Sequence, residues 1–336
     1  ETLCQRLKCG YITREDNTHA KAGNINNAWR YVSSLEEPSD FIAVLDADFV
    51  VQPAFLTRCV ALTKDKQVGV VQTPQTFFNP DPIQSNLSIA HLWPDEQRYF
   101  FDVLMPSKDA WGMAFCCGTS SLIRCSALAE LGGFPTDSVT EDYLLTIRLK
   151  ECGYQTIYLN EELSLGLAPE GLKEYIVQRS RWCLGFMQIV RGRSGPFRLD
   201  NKLSLPDRLM LIDTFLHWST TFTFRLCCLV VPILYLLFDI QAVYAHPTEI
   251  ISYVLPFLVM QTAFTAWVTG GRVLPVLYDV SQLLVASAIV RSTIAGLMRP
   301  SGHKFKVTAK GGDRAAKLVQ WSLLRVFLGF VALTAA

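Results

Sequence analysis

Short apolar runs that end in polar residues alternate with segments of helical periodicity over the first 200 residues. Phe41–Leu45 is an apolar run followed closely by Asp46 and Asp48, and Val68–Gln72 predicts a neighbouring strand. Residues 52–65 between them are predicted to be helical. This strand–helix–strand order is typical of an α/β protein with a mostly parallel sheet and flanking helices. Ligands of such sheets bind beyond the carboxyl ends of the strands, so both aspartates are expected at a binding site.

Further elements are predicted in the same region. They are helices at Leu122–Leu131, Glu141–Glu151 and Leu172–Val190 and a strand at Tyr154–Leu159. Gly132 and Gly133 end the first of these helices. We therefore expect residues 1–200 to form one soluble α/β unit.

The apolar density rises sharply beyond about Leu211, where membrane segments are predicted. Thr221–Phe238 and Ile250–Val268 each approach the ~20 apolar residues that cross a bilayer. The start of a third span, Leu318–Ala336, is interrupted by Arg325. A fully soluble protein with buried apolar helices is the alternative.

Two other helices are expected to lie in the membrane interface. Residues 201–218 contain an amphipathic segment, Leu205–Trp218, although a helix on the domain surface would have the same pattern. Val280–Met298 is apolar but contains Ser, Gln and Arg, which favours an interface helix over a span. Residues 219–336 are thus the predicted transmembrane region, with a polar loop at 298–316.

The distribution of charge predicts the orientation. The loop Asp239–Glu249 has no Lys or Arg, whereas the segments before and after the two spans are basic, which places residues 1–200 in the cytoplasm. The net charge of +1 and the lack of a dense basic stripe exclude nucleic acid as an expected partner. Ten cysteines include no C-x-x-C pair, so a structural zinc site is not expected and the thiols are interpreted as reduced.

Asp46 and Asp48 form a D-x-D pair at the end of the first predicted strand. Mg²⁺ and Mn²⁺ prefer carboxylate oxygens and commonly share them with a diphosphate. A metal held there would neutralise the diphosphate that leaves a nucleotide sugar. We predict a Mg²⁺ or Mn²⁺ site at this pair.

Thr140-Glu141-Asp142 precedes a predicted helix and has two interpretations. Thr140 is a plausible N-cap, and acidic residues suit a helix amino terminus, which is a structural role. The functional interpretation makes one carboxylate the general base that deprotonates an acceptor hydroxyl.

Gln178, Arg181 and Trp182 form a Q-x-x-R-W pattern on a predicted helix. Arg can hold phosphate oxygens in a bidentate fashion, and a Trp face can stack on a sugar ring. An interfacial aromatic residue with a snorkelling Arg is the alternative. Lys21, in Lys-Ala-Gly-Asn, offers a positive charge to a phosphate or a base.

Taken in this order, the motifs resemble the catalytic subunits of bacterial cellulose synthase, which are processive, inverting family-two glycosyltransferases with a glycosyltransferase A-type fold. The resemblance runs through nearly the whole chain. The segments that carry it, besides the motifs above, are Thr13-Arg14, His19–Asn24, Val71–Pro74, Phe78–Pro82, Cys117-Gly118, Gly132–Phe134 and Phe305–Lys310.

The resemblance implies a role for each site residue. Asp142 is the implied catalytic base. Residues implied to bind the nucleotide sugar are Lys21, Asp46, Asp48, Gln178, Arg181, Thr308 and Lys310, with Asp46 and Asp48 also holding the metal. Residues implied at the acceptor are Glu141, Trp182, Cys117 and Gly118. Phe305, Val307, Thr308 and Lys310 would belong to a gating loop that closes over UDP-glucose.

The chain also departs from the family. Phe49 stands where these synthases often have His, which removes one possible metal ligand. The first nucleotide-binding Asp, the amino-terminal membrane helices and any PilZ domain that senses cyclic di-GMP would lie outside this chain. The chain lacks an initial Met and ends within an apolar run, so we expect a fragment of a longer protein.

The expected function is a membrane β-glucan synthase of the bacterial inner membrane. It would transfer glucose from UDP-glucose to a growing glucan and extrude the polymer through the bilayer, with a possible periplasmic accessory subunit. Cellulose is the favoured product, and a β-1,3- or mixed-linkage glucan made by the same mechanism is the alternative. A non-catalytic membrane scaffold with a transferase fold is the alternative of another class.

Overall fold

The computed structural model describes residues 2–93, 95–303 and 319–335. The strands are β1 (Phe41–Val44), β2 (Val50–Val51), β3 (Val68–Gln72), β4 (Thr76–Phe77), β5 (Ser121–Arg124), β6 (Gln155–Tyr158) and β7 (Ser164–Gly166). Helices of the first 200 residues are α1 (Thr2–Leu7), α2 (Ala20–Ser33), α3 (Phe55–Ala61), α4 (Pro82–Leu87), α5 (Gln97–Tyr99), α6 (Met105–Ala110), α7 (Cys125–Leu131), α8 (Glu141–Glu151) and α9 (Leu172–Arg191). The later helices are α10 (Leu205–Leu216), α11 (Phe222–Phe238), α12 (Pro247–Thr269), α13 (Pro275–Met298) and α14 (Trp321–Ala335).

The main sheet has the strand order β1-β5-β3-β6 and is mixed. Strands β1, β3 and β6 run in the same direction, as the sequence predicts, but β5 runs antiparallel between β1 and β3. The predicted helix Leu122–Leu131 is wrong in its first part, because Ser121–Arg124 forms this strand and the helix begins only at Cys125. A second, three-stranded sheet has the strand order β2-β7-β4.

Helices cover both faces of the main sheet, because alternate residues of a strand point to opposite faces. Val70 and Ile123 pack with residues of α7 and α8 on one face. Val71 and Leu122 pack against Phe55 and Cys59 of α3 on the other. The first part of the chain is therefore a three-layered α/β unit, and the predicted fold class is confirmed.

Among the described residues, three helices are long and apolar enough to cross a membrane by length and composition, and they are Leu205–Phe238, Pro247–Thr269 and Leu277–Met298. The first is continuous through α10, a π-helical segment at His217–Thr221 and α11. The predicted boundary at residue 218 therefore falls inside one helix. The interface position of Val280–Met298 stays a prediction, since that segment also meets the requirements for a span.

The α/β unit is joined to the membrane helices through α9. Cys183 and Met187 of α9 are fully buried with Ala286 and Ile289 of α13 in one apolar cluster. Gly296 permits this close approach, since a Cβ there would lie 2.5 Å from Cβ of Met187. The helix that carries the Q-x-x-R-W motif is therefore packed directly on α13.

Candidate active site

Two segments that are far apart in sequence meet at the carboxyl end of β1. Val44 at that end pairs with Ser121 at the start of β5, because the two strands are antiparallel. The segment that leads into β5 therefore reaches the same edge as Asp46. The backbone N–H of Asp46 donates to Oγ1 of Thr119 at 2.9 Å, which fixes this contact.

Lys21 joins both segments from α2. Its Nζ donates to Oδ1 of Asp46 and to the carbonyl oxygen of Gly118, each at 2.5 Å. The side chains of Lys21 and Asp46 are 26% and 39% exposed, so the pair is partly accessible to a ligand. The structure thus brings Lys21, Asp46 and Gly118 together, and their roles stay a prediction.

Gly118 brings its backbone directly against the carboxylate of Asp142. Its φ of +84° lies in the left-handed region, and a Cβ there would lie 2.6 Å from Oδ2 of Asp142. A side chain is excluded on both grounds. The other oxygen, Oδ1 of Asp142, accepts a hydrogen bond from the backbone N–H of Tyr143 at 2.8 Å.

Two glutamines that the sequence analysis did not single out hold Cys117 in place. Gln72 is fully buried, and its Oε1 accepts from the backbone N–H of Cys117 at 2.7 Å, while its Nε2 donates to the Thr119 carbonyl at 2.8 Å. Nε2 of Gln75 donates to the Cys117 carbonyl at 2.9 Å. The signal was present in the sequence, because an amide at the end of the apolar run Val68–Gln72 needs a buried partner.

Charges of both signs converge on the Glu141–Asp142 pair. Burial, and then the charge of Asp142, raises the pKa of Glu141 to about 7. Burial also raises the pKa of Asp142, and the nearby positive charges of Lys21 and Arg181 oppose that shift. Burial lowers the pKa of Arg181, which Asp142, Glu141 and Asp46 counteract. Arg181 therefore lies within electrostatic reach of all three carboxylates.

Thr140 does not act as the predicted side-chain cap. Among the described residues its side chain makes no hydrogen bond to the first turn of α8. It instead packs on Gly185 of α9, where a Cβ would lie 2.4 Å from Oγ1 of Thr140. Ser138 completes the contact, since its hydroxyl donates to the Gly185 carbonyl at 2.9 Å. The motif is thus seated on the helix that carries Arg181 and Trp182.

The Q-x-x-R-W residues lie on α9 as predicted, and the structure adds Arg179 to them. The guanidinium of Arg179 lies 4.6 Å from the ring centroid of Trp182. Its Nη1 donates to Oε1 of Gln178 at 2.5 Å, and it forms an ion pair with the buried Glu96. The sequence analysis missed Glu96 because it lies 83 residues earlier in the chain.

A cavity of about 580 Å³ begins at this site and continues between the membrane helices. Cys117, Asp142 and Trp182 line one end. Side chains of the three membrane helices that also line it are Phe222, Arg225, Gln261, Thr265, Tyr278 and Gln282. A lining that combines aromatic faces with hydrogen-bonding groups suits a ligand that is itself amphipathic.

Two of the predicted site residues, Thr308 and Lys310, lie outside the described residues, as does the rest of the predicted loop beyond His303. Asp48 follows Asp46 at the same edge and is partly buried. Within the described residues no cluster of three or more His, Cys, Asp or Glu could hold a metal by itself. Phe49 packs edge-on against Phe77, with ring centroids 6.0 Å apart.

Comparisons with known proteins agree with this architecture. Residues 41–268 match the family model described as glycosyl transferase family group 2. A cellulose synthase catalytic subunit from Komagataeibacter xylinus is 36% identical over 315 residues, which cover 90% of this chain and 40% of that protein. One from Pseudomonas fluorescens (strain SBW25) is 33% identical over 336 residues, which cover 98% of this chain and 44% of that protein. The chain therefore spans about two fifths of the length of these relatives.

The fold also resembles that of a solved mannosyltransferase from Pyrobaculum calidifontis, with a TM-score of 0.51 at 14% identity over 87% of this chain and 69% of that chain. This confirms the predicted glycosyltransferase A-type fold. The resemblance to cellulose synthase catalytic subunits is confirmed as well, and the apolar helices together with these relatives indicate a membrane protein. The chain belongs to glycosyl transferase family group 2.

Proposed function

We propose that the protein containing this chain is a processive membrane β-glucan synthase. It transfers glucose from UDP-glucose to the non-reducing end of a growing glucan with inversion, and cellulose is the product we favour. The cavity that begins at Asp142 and continues between the membrane helices carries the proposal, since a product made at one end is already inside the exit path. The names of the relatives, cellulose synthase catalytic subunits that are UDP-forming, support the donor and the product.

The donor would bind at the carboxyl edge of β1. Asp46 and Asp48 supply carboxylate oxygens, which is the donor set that Mg²⁺ or Mn²⁺ shares with a diphosphate and water. The described residues fit such a site, because Asp46 and Asp48 are both partly exposed and leave a metal able to keep diphosphate oxygens and water as its other ligands. When bound, the metal would supply charge neutralisation to the leaving diphosphate. Lys21, Gln178 and Arg181 offer further donors there, and Thr308 and Lys310 are proposed to do so as well.

The acceptor would bind on the cavity side of the site. Trp182 offers an aromatic face to the terminal sugar, and Glu141, Cys117 and Gly118 surround its reactive hydroxyl. Asp142 takes the proton of that hydroxyl. The hydroxyl oxygen attacks the anomeric carbon, the bond from that carbon to the diphosphate oxygen breaks, and UDP leaves with the electron pair. One displacement inverts the anomeric configuration.

The charges around Asp142 suit this role. A general base must be ionised before reaction, and burial raises the pKa of Asp142. The charges of Lys21 and Arg181 oppose that shift, which favours the ionised carboxylate. A buried base of this kind is worth about 10²–10⁴-fold in rate.

The α/β unit is proposed to lie on the cytoplasmic side of a bacterial inner membrane. The distribution of basic residues supports this orientation, and the bacterial sources of the relatives support the location. The partners would be UDP-glucose, the growing glucan, the lipid bilayer and a periplasmic accessory subunit. A gating loop at 298–316 and an interface helix at Val280–Met298 belong to the same proposal.

A β-1,3- or mixed-linkage product is the second candidate, and Phe49 is the observation that favours it. The ring of Phe49 packs on Phe77 and on Gly166, so an aromatic residue fills the position directly after the D-x-D pair. A scaffold without activity is less well supported, because Asp46, Asp142 and Arg181 remain grouped around one site.

The full-length protein in proteoliposomes, with Mg²⁺ or Mn²⁺ and radiolabelled UDP-glucose, tests the proposal. Polymer that only a β-1,4-glucanase digests supports cellulose synthesis. Polymer that only a β-1,3-glucanase digests overturns the product and keeps the mechanism. No polymer from folded protein overturns the donor or the activity. Asp142→Asn should abolish synthesis and retain UDP binding, whereas a scaffold would be indifferent to it.

A further inference from the structure

Arg179 occupies an unspecified position of the Q-x-x-R-W pattern and lies beside the ring of Trp182 in the cavity. Tyr175, Arg179 and Trp182 follow each other at intervals of four and three residues on α9, so their side chains lie on one face of the helix. All three line the cavity that begins at Asp142. The guanidinium of Arg179 lies 4.3 Å from the ring centroid of Tyr175 and 4.6 Å from that of Trp182.

The guanidinium is itself held firmly. Nε of Arg179 donates to Oε1 of Glu96 at 3.1 Å, and Nη2 donates to the same oxygen. The hydroxyl of Tyr175 donates to the other carboxylate oxygen of Glu96. The side chains of Arg179 and Glu96 are only 9% and 6% exposed, so the pair is shielded from water and from salt.

Arg179 also fixes the orientation of the Gln178 amide. Oε1 of Gln178 accepts from Nη1 of Arg179 at 2.5 Å. A glutamine amide has one acceptor end and one donor end, so this contact leaves its NH₂ group to face other partners. An NH₂ group is the end that a diphosphate oxygen can use.

A buried ion pair is a costly way to hold two helices together. Apolar residues of similar volume are often as stabilising, because desolvation offsets the attraction between the charges. Arginine is also required rather than lysine, since only a planar guanidinium can stack on rings and direct several N–H groups at once. The network therefore serves orientation more than stability.

We propose that Arg179 is a positioning residue of this active site, which, anchored by Glu96, holds the ring of Trp182 and the amide of Gln178 in the orientations that the acceptor sugar and the leaving diphosphate need. The proposal rests on the glucan synthase function proposed above for its substrates. Its geometry, however, can be tested without turnover.

Arg179→Lys in the full-length protein is the informative variant, because it keeps a positive charge beside Glu96 and loses the planar face. In proteoliposomes, the ratio of UDP released to glucose incorporated should rise at least about threefold, because a misplaced acceptor lets water compete for the donor. The Kd for UDP should also rise at least about threefold, because the Gln178 amide is no longer held in its orientation. Arg58→Lys, in the exposed ion pair with Glu161, is the matched control and should change neither quantity.

The fluorescence of Trp182 tests the geometry independently. The difference between each protein and its Trp182→Phe counterpart isolates this residue among the tryptophans. Its quenching by acrylamide should increase about twofold in R179K and stay unchanged in R58K, since the planar guanidinium that covers the ring is lost only in the first. Unchanged quenching in folded R179K overturns the positioning role of Arg179, whether or not the wild type makes polymer. A wild type that makes no polymer overturns the proposed function and leaves the fluorescence test valid.

Glu96→Gln separates anchoring from direct action. If Glu96 acts through Arg179, the double variant E96Q/R179K should have the same ratio of UDP released to glucose incorporated as R179K alone. Additive effects of the two substitutions would show that Glu96 acts separately and would overturn the anchoring role.

Discussion

The α-carbon of Gly118 lies directly against the carboxylate of Asp142, so closely that a methyl group on it would be 2.6 Å from Oδ2. The backbone at Gly118 therefore forms one side of the site that holds the carboxylate of Asp142. Gly118→Ala should lower kcat for glucan synthesis at least about 10²-fold, because the carboxylate must move away from its partners, and each misplaced ångström is costly. Polymer formation from UDP-glucose in proteoliposomes measures this effect.

Gly132 supplies a matched control for that substitution. Its φ is +74°, close to the +84° of Gly118, but a Cβ on it would meet no heavy atom within 4 Å among the described residues. Gly132→Ala therefore introduces similar backbone strain without the contact. Equal losses of activity in the two variants would show that strain alone, and not the Asp142 contact, explains the effect.

Gly185→Ala should uncouple the base from the residues of α9. The added methyl would lie 2.4 to 2.8 Å from the side-chain atoms of Thr140 and would push the Thr140–Asp142 segment off the helix. We expect kcat to fall about tenfold or more, with UDP affinity nearly unchanged, because the residues proposed to bind the donor remain on α9.

Gly329→Ala in α14 is the comparison for this second glycine, since a Cβ there would meet no heavy atom within 4 Å among the residues that the structure describes. Thr140→Gly removes the side chain that the methyl strikes, so the double variant T140G/G185A should recover part of the activity lost in G185A. A double variant no better than G185A would argue that the helix itself, rather than the contact, is disturbed.

The acidic limb of the pH–activity profile should lie above the pH range in which an ordinary aspartate titrates. Burial and the charge of Asp142 raise the pKa of Glu141 to about 7, and burial raises the pKa of Asp142, so both carboxyls take up protons at a higher pH than free carboxyls do. Activity should fall with them, because a protonated Asp142 cannot accept the acceptor's proton. Glu141→Gln should shift this limb to lower pH, since two adjacent carboxylates oppose each other's ionisation.

The raised pKa of Glu141 also has a consequence for stability with a definite sign. The pKa of Glu141 is higher in the folded state than the ordinary value of 4.5, so the folded protein is stabilised while Glu141 is protonated. The free energy of unfolding therefore falls as the pH rises through about 7. The cost at about pH 8 is roughly 3 kcal/mol, because each tenfold change in proton affinity corresponds to about 1.36 kcal/mol. Glu141→Gln should therefore raise the Tm in detergent at about pH 8 and leave it nearly unchanged at about pH 4.5.

Glu37→Gln is the control for that measurement, because Glu37 is exposed on the surface. It should leave the Tm unchanged at both pH values. A Tm of Glu141→Gln that follows the wild type across the whole range would contradict the assigned burial of Glu141.

Gln72→Leu should destabilise the loop that carries Cys117. The substitution leaves the buried N–H of Cys117 and the carbonyl of Thr119 without their present partner, which costs about 1–3 kcal/mol for each unsatisfied group. Thermal unfolding of the full-length protein in detergent measures the loss. Gln67→Leu, at an exposed position just before the same strand, should have little effect, and equal effects would contradict the role of the hydrogen bonds.

The sequence predicted the local elements and motifs well, because their signals are local. Helix α8 has the predicted bounds Glu141–Glu151, and the aspartates follow a strand as expected, although β1 is an edge strand in which only Val44 is buried. The antiparallel direction of β5 could not be predicted in the same way. Its residues Ser121–Arg124 run without a break into a helix, and only their pairing with β1 and β3 makes them a strand.

The contacts between segments that are distant in the chain could not be predicted from the sequence either. Cys117 and Gly118 were placed at the site only through the family resemblance. Their position depends on β5, which brings the preceding loop to the edge where Asp46 lies. The Glu96–Arg179 ion pair could not be predicted from the sequence either, because the two residues are 83 positions apart and neither lies next to a residue that indicates its partner.

The close packing of α9 on α13 connects the proposed active site to a helix that is long and apolar enough to cross a membrane. Cys183 and Met187 are fully buried together with Ala286 and Ile289, so we expect a change in the tilt of α13 to displace α9 as well. Bilayer thickness and lateral pressure act on that tilt. Lipid composition would then change the distance between Asp142 and the residues of α9 that are proposed to bind the donor.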